Sequence, residues 1–80
     1  MLNCHAEGAP APHLSWWTII DDSDDMEMVT EDKVETMHLD VNMNSGIQLA
    51  TESLLSLEAG HFACVADYRN GLKQVAINAN

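Results

Sequence analysis

Two cysteines, Cys4 and Cys64, lie near opposite ends of this 80-residue chain, and no other feature constrains its fold as much. A chain this short buries only about 60–65% of the surface that its unfolded form exposes, so its net stability is small. A disulfide closing so long a loop would add roughly 4 kcal/mol, comparable to the whole net stability of a small domain. The pair predicts one disulfide in an oxidising compartment, or two buried thiols in the cytosol.

The first part of the chain has the alternation of β-strands. The stretch MLNCHAE places apolar and polar side chains in turn, which is typical of a half-buried strand. The later stretch HLSWWTII is rich in aromatic and β-branched residues and predicts a second strand. GAPAP lies between them and predicts an extended turn, because glycine permits tight turns and proline fixes φ.

The second half of the chain leaves one prediction open. The stretch LATESLLSLEAG has the leucine, alanine and glutamate content of a helix, whereas the alternation over residues 47–51 favours a strand. Spacing alone does not decide between the two. Farther on, DYRNG predicts a hairpin turn, and LKQVAINAN alternates as a strand does.

Residues 21–40 carry nine of the thirteen acidic residues, and the chain has a formal net charge of −10. Like charges at this density repel, so we expect a solvated loop followed by one or two short edge strands. Three lysines and arginines are too few for nucleic acid, and an anionic membrane surface would repel the chain. The charge leaves two interpretations: a protein partner with a basic surface, reached through electrostatic steering, or solubility alone. The candidate contacts are Asp21, Asp22, Asp24 and Asp25.

The same segment raises the question of a cation site. Counted from Asp21, acidic or hydroxyl side chains occupy positions 1, 3, 5 and 12 of an EF-hand loop, but position 6, which requires glycine, is Met26. The histidines show no paired spacing for zinc, so we expect neither a metal nor a cofactor. Because the chain also has no serine elbow, phosphate loop or facing pair of carboxylates, we expect no enzymatic activity.

Three motifs lie in register along the chain. In CHAEGAPAPHLSW, Trp16 follows Cys4 with a glycine and two spaced prolines between them; EAGHFAC ends at Cys64; and Gly71 follows seven residues later. These motifs resemble strands B, C and F and the F–G turn of immunoglobulin superfamily domains, the intermediate and C2-like sets in particular. The resemblance covers nearly the whole chain, with strand A missing before Met1.

The resemblance implies an all-β fold, an immunoglobulin-like two-sheet Greek-key sandwich. It implies a single domain over residues 1–80, from strand B onward, with the acidic segment 21–40 between strands C and E. It also implies a disulfide between Cys4 and Cys64 that joins the two sheets, with the indole of Trp16 packed beside it.

Two residues depart from the family pattern. Phe62, a core residue by this resemblance, stands where the family has a tyrosine whose hydroxyl ties the corner between strands E and F. Glu58 replaces the usual aspartate. In the family that acid pairs with a basic residue of strand D, and Lys33 is the nearby candidate for this partner. We expect both changes to weaken that corner.

The outer face and the loop end of such a sandwich hold the candidate binding residues. Trp17 would point away from the core onto the sheet that also carries strands F and G, and exposed aromatic residues are enriched at binding hot spots. The alternative is local packing, with Trp17 covered by Met26 or Met28. Tyr68 and Arg69 lie at the F–G turn, a loop position on a rigid scaffold where binding residues concentrate.

The resemblance implies protein recognition without catalysis. We expect a module of an extracellular or secreted immunoglobulin superfamily protein, with neighbouring domains in its parent chain and no direct membrane contact. Its task would be adhesion, a receptor ectodomain, or binding of a secreted ligand such as a growth factor or an insulin-like peptide. The alternative is an intracellular muscle-type module with a structural scaffolding role, and a third reading is a calcium-dependent adhesion module.

Overall fold

A computed structural model of the protein describes residues 2–20, 25–42, 44–55 and 61–79, with side chains as far as Ala76 in the last segment. The strands are β1 (Leu2–Gly8), β2 (His13–Ile19), β3 (Met26–Met28), β4 (Val34–Asn42), β5 (Ile47–Leu54), β6 (His61–Asp67) and β7 (Lys73–Ala79). One 3₁₀ turn, Glu31–Lys33, precedes β4. Across the described part of the chain, no helix is long and apolar enough to cross a membrane.

The strands form two antiparallel sheets. The back sheet has the order β1-β5-β4, and the front sheet has the order β3-β2-β6-β7. The chain passes from one sheet to the other after β1, after β3 and after β5. The predicted all-β two-sheet sandwich is therefore confirmed, and this architecture is compatible with an immunoglobulin-like domain.

A disulfide between Cys4 and Cys64 joins the sheets, as predicted, with 6.4 Å between the two Cα atoms. It connects β1 of the back sheet with β6 of the front sheet, where Cys64 lies directly opposite Trp16 of β2. Trp16 is 1% exposed. The buried cluster around this bridge consists of Leu14, Trp16, Ala50, Leu54, Phe62, Cys64 and Ala66.

The open prediction for the second half of the chain resolves as a strand. β5 is the central strand of the back sheet and pairs with β1 on one side and β4 on the other. Its inward side chains Ala50, Glu52 and Leu54 are buried. Pairing along both edges and burial of one face outweigh the helix propensity of these residues, which is a weak preference. Residues 56–60, which include Glu58 and the expected E–F corner, lie outside the described residues.

The connection from β1 to β2 shows why a glycine stands in the opening motif. A Cβ atom at Gly8 would lie 2.7 Å from the backbone oxygen of Pro10, closer than real Cβ contacts come. Pro12 at the other end of the connection is buried. The glycine therefore lets the chain fold back tightly as it leaves the back sheet.

The acidic segment contains two edge strands of different length. β3 has three residues and pairs with the end of β2, whereas β4 has nine and pairs with β5 from Val34 to Asn42. The prediction of short edge strands is right for β3 and wrong for β4. β4 is longer because its pairing with β5 runs from Val34 to Asp40 and resumes at Asn42 after a bulge.

Candidate functional site

Trp17 lies in the middle of the outer face of the front sheet. In the strand register it sits between Met28 of β3 and Ala63 of β6. Ala63 has no exposed surface although it faces away from the core. Trp17, directly opposite Ala63 in the strand register, is a large side chain on the same face. Trp17 itself is half-buried, and Met28 is 54% exposed.

A hydrogen bond within β2 fixes the Trp17 ring. Its indole Nε1 donates to Ser15 Oγ at 2.8 Å, and Ser15 is two residues away on the same face of the strand. The polar edge of the indole is thus satisfied inside the protein. The exposed Met28 side chain lies beside the ring, directly opposite Trp17 in the strand register.

Apolar side chains continue along this face beyond Trp17, with Ser15 as a polar neighbour on β2. Val65 and Val75 are directly opposite each other, and Val75 is 55% exposed. Ile19 pairs with Met26, which is 41% exposed. We call this surface the front patch: Trp17, Ile19, Met26, Met28, Val65 and Val75.

Polar and charged residues border the front patch at the end of the sheet near the β6–β7 turn. His13, Asp67 and Lys73 form one cross-strand row there, with Asp67 directly opposite Lys73. Opposite charges in such a pair stabilise the register modestly. The patch therefore has an apolar centre with a polar border at that end.

The turn between β6 and β7 meets the connection between β1 and β2 at one end of the sandwich. Tyr68 and Arg69, with Asn70, line a cavity of about 340 Å³ whose other wall is formed by residues 8–10. Tyr68 is half-buried, and its hydroxyl donates to Gln74 Oε1 at 3.2 Å. Arg69 is exposed. The structure thus places both predicted turn residues at one opening.

Of the predicted acidic contacts, Asp25 is the one that the structure describes; Asp21, Asp22 and Asp24 lie outside the described residues. Asp25 is exposed, and its backbone oxygen accepts a hydrogen bond from the Ile20 amide at 3.1 Å. It directly precedes Met26, so it adjoins the front patch.

The described residues contain no group of three or more histidine, cysteine, aspartate or glutamate side chains that could hold a metal ion. The EF-hand-like count cannot be traced in space, because Asp21 and Ser23 are not among the described residues.

A buried carboxyl group, Glu52, was not anticipated from the sequence. It lies on the inward face of β5 and is 6% exposed. Burial raises the pKa of the Glu52 carboxyl, against the opposing effects of the His13 charge and of hydrogen bonds to the Thr36 side chain and the Trp16 backbone. In the sequence, Glu52 shares a period of two with Ala50 and Leu54. This period predicts burial of Glu52 only when residues 47–54 are taken as a strand.

No protein-family model matches the chain, and neither a curated protein nor a solved structure matches it. The features of the chain that bear on its function are two sheets held by one disulfide, an apolar front patch centred on Trp17, and an opening at Tyr68 and Arg69.

Proposed function

We propose that this chain is an immunoglobulin-like module that binds another protein through the outer face of its front sheet. The resemblance of its cysteine, tryptophan and glycine motifs to that superfamily supports the proposal, as does the bridge between two β-sheets beside Trp16. The observation that carries it is the front patch. An antiparallel sheet commonly presents polar side chains on the face away from its core, whereas this one presents Trp17, Met28 and Val75.

The front patch has the composition of a binding surface. Tryptophan and methionine are enriched in the buried centres of interfaces, and charged residues are depleted there. Trp17 is held in place by Ser15, so little of its conformational freedom remains to be lost on binding. Contiguous exposed apolar patches with polar borders mark interaction sites on protein surfaces.

The disulfide favours an extracellular setting, because such bonds persist in oxidising compartments and are rare in the cytosol. Within that setting we propose adhesion, a receptor ectodomain or capture of a secreted ligand as the task. The muscle-type alternative predicts free thiols. Intact mass of protein from its native source, with and without reductant, separates the two: a bridged pair supports the extracellular proposal, and two free thiols contradict it.

The test of the front patch is a binding screen with two matched double variants. The oxidised protein is displayed as a multimer against a panel of secreted proteins and cell-surface ectodomains. The front variant is Met28→Ser with Val75→Ser, and the control is Met37→Ser with Val41→Ser on the back sheet. The same residue types are changed at nearly equal exposure: 54% and 55% against 52% and 53%.

We expect a binder whose affinity falls about tenfold or more in the front variant, equivalent to about 1.4 kcal/mol, and stays unchanged in the control. Absence of any binder contradicts the recognition function. A binder that is sensitive only to the control variant contradicts the assignment to the front face.

A further inference from the structure

The edge strand β4 turns its apolar side chains away from the core. Met37, Leu39 and Val41 are 52%, 51% and 53% exposed. Their neighbours in sequence point the other way: Thr36 is opposite Glu52, and His38 is opposite Ala50. Since Glu52 and Ala50 face the core, the inward set of β4 is polar and the outward set is apolar.

This orientation is the reverse of what a sandwich strand usually has, and the register holds it. Shifting a strand by one residue would exchange its two faces. Pairing with β5 is continuous from Val34 opposite Leu54 to Asp40 opposite Gln48, and Gln48 Nε2 donates to Asp40 Oδ1 at 3.2 Å. Val34, at the start of β4, packs against the core cluster. The strand is thus anchored with its apolar face outward.

Leu49 of β5 extends the apolar surface sideways, because it lies directly opposite Leu39. We call Met37, Leu39, Val41 and Leu49 the back stripe. From Met37 to Val41 it is about 13 Å long, and the two strands are about 4.8 Å apart. The stripe lies on the opposite sheet from the front patch, so it is a separate surface.

The charges around the back stripe are negative. Glu35 lies on the same face of β4, one step before Met37, and Glu7 lies across β5 from Leu39 and Leu49. Among the described residues, no lysine or arginine belongs to the three strands of the back sheet. The row of Met37 continues through Thr51 to His5, so the border is polar with two glutamates, on a chain whose formal net charge is −10.

We propose that the back stripe docks a cationic amphipathic helix of another protein. Apolar side chains at positions i, i+4 and i+7 of a helix span about 10 Å, which fits the length of the stripe. Lysines or arginines beside that apolar face would meet Glu35 and Glu7. A second copy of this chain fits less well because it would bring acidic borders together, and strand addition fits less well because the bulge between Asp40 and Asn42 disrupts the edge.

The probe is a synthetic amphipathic helix of leucine and lysine, about 18 residues long so that it is helical on binding. A second peptide has the same leucine face with glutamate in place of lysine. Both are titrated into the isotopically labelled oxidised protein, and backbone amide shifts locate the contact.

The variants are Met37→Ser with Val41→Ser on the stripe and Met28→Ser with Val75→Ser as the control on the front sheet. Leu39→Ser serves as a second stripe variant, with Leu72→Ser as its exposed counterpart in the β6–β7 turn.

We expect amide shifts to cluster on β4 and β5 and binding to weaken with added salt. We also expect either stripe variant to lower the affinity for the lysine peptide about tenfold or more. The two control variants, Met28→Ser with Val75→Ser and Leu72→Ser, should bind this peptide as the wild type does. Glu35→Gln should lower affinity more than Glu27→Gln, an exposed glutamate on β3.

Three outcomes overturn the proposal. One is equal binding of the glutamate peptide, which would mean that charge plays no part. Another is a cluster of shifts around Trp17 and Val75, which would leave the front-face proposal standing and remove this one. The third is a dimer of the chain in sedimentation that the stripe variants dissociate, which would make a second copy the occupant.

Discussion

The indole Nε1 of Trp16 donates a hydrogen bond to the backbone carbonyl of Glu52 at 3.1 Å, across the space between the two sheets. Trp16 belongs to β2 of the front sheet and Glu52 to β5 of the back sheet. This bond and the Cys4–Cys64 disulfide are thus two specific links between the layers, one polar and one covalent.

Replacing Trp16 by Phe should destabilise the protein by about 2–4 kcal/mol, because it removes a hydrogen bond in the interior and opens a cavity at a fully buried position. Urea denaturation of the oxidised protein measures the change. Trp17→Phe is the control: it removes the bond to Ser15 and reduces the ring at a position that is only half-buried, and we expect a loss of about 1 kcal/mol. Equal losses in the two variants would contradict the role assigned to Trp16.

Removing the disulfide with the double variant Cys4→Ala and Cys64→Ala should lower the free energy of unfolding by about 2–4 kcal/mol, because the unfolded chain gains freedom. The measurement is the urea midpoint with and without reductant. Reductant should lower the midpoint of the wild type and leave that of the variant unchanged. A wild-type midpoint insensitive to complete reduction would show that the bridge contributes little.

The buried carboxyl of Glu52 should make stability depend on pH. Its pKa in the folded state is raised above the ordinary value of 4.5, so the folded protein takes up a proton at a higher pH than the unfolded chain does. The contribution of this group to stability therefore improves as pH falls from neutral through the raised pKa, and levels off below about 4.5.

Glu52→Gln tests that sign, because the variant removes the charge and keeps the shape. We expect Glu52→Gln to be more stable than the wild type at neutral pH, and the difference to shrink as the pH approaches 4.5. Thermal denaturation over this range measures it. Glu35→Gln, at an exposed position, is the matched control variant. If the stability advantage of Glu52→Gln grew towards acid pH, a raised pKa for Glu52 would be contradicted.

The bond from Trp17 to Ser15 predicts a specific spectroscopic change. Ser15→Ala should move the indole N–H resonance of Trp17 and leave that of Trp16 in place, since Trp16 donates to a different acceptor. Nuclear magnetic resonance of the labelled protein shows both resonances, and Trp17→Phe assigns them. The Trp16 indole should also exchange its hydrogen more slowly, because it is fully buried. Movement of both resonances together would mean that the two rings are coupled.

The candidate binding residues were predictable only in part. Alternation along HLSWWTII indicated that Trp16 and Trp17 take opposite faces, and the structure has them so. That Ser15 would hold the Trp17 ring did not follow from spacing, because a hydroxyl two residues away can bond to water as readily. The back stripe was not predicted, because the alternation of residues 34–41 defines two faces of β4 without showing which of them meets the core.

The sequence by itself indicated β-strands at both ends of the chain, and the resemblance of its cysteine, tryptophan and glycine motifs implied the two layers and the disulfide that joins them. The strands depend on a local period of two, which can be read along the chain, whereas the cysteine pair alone was compatible with a disulfide or with two buried thiols. Only the tertiary structure decided that residues 47–54 pair as a central strand, that Glu52 lies in the core, and that β4 displays its apolar face outward. The physical reason is that alternation defines two faces without saying which is buried; that depends on register with a neighbouring strand and on what the opposite sheet covers.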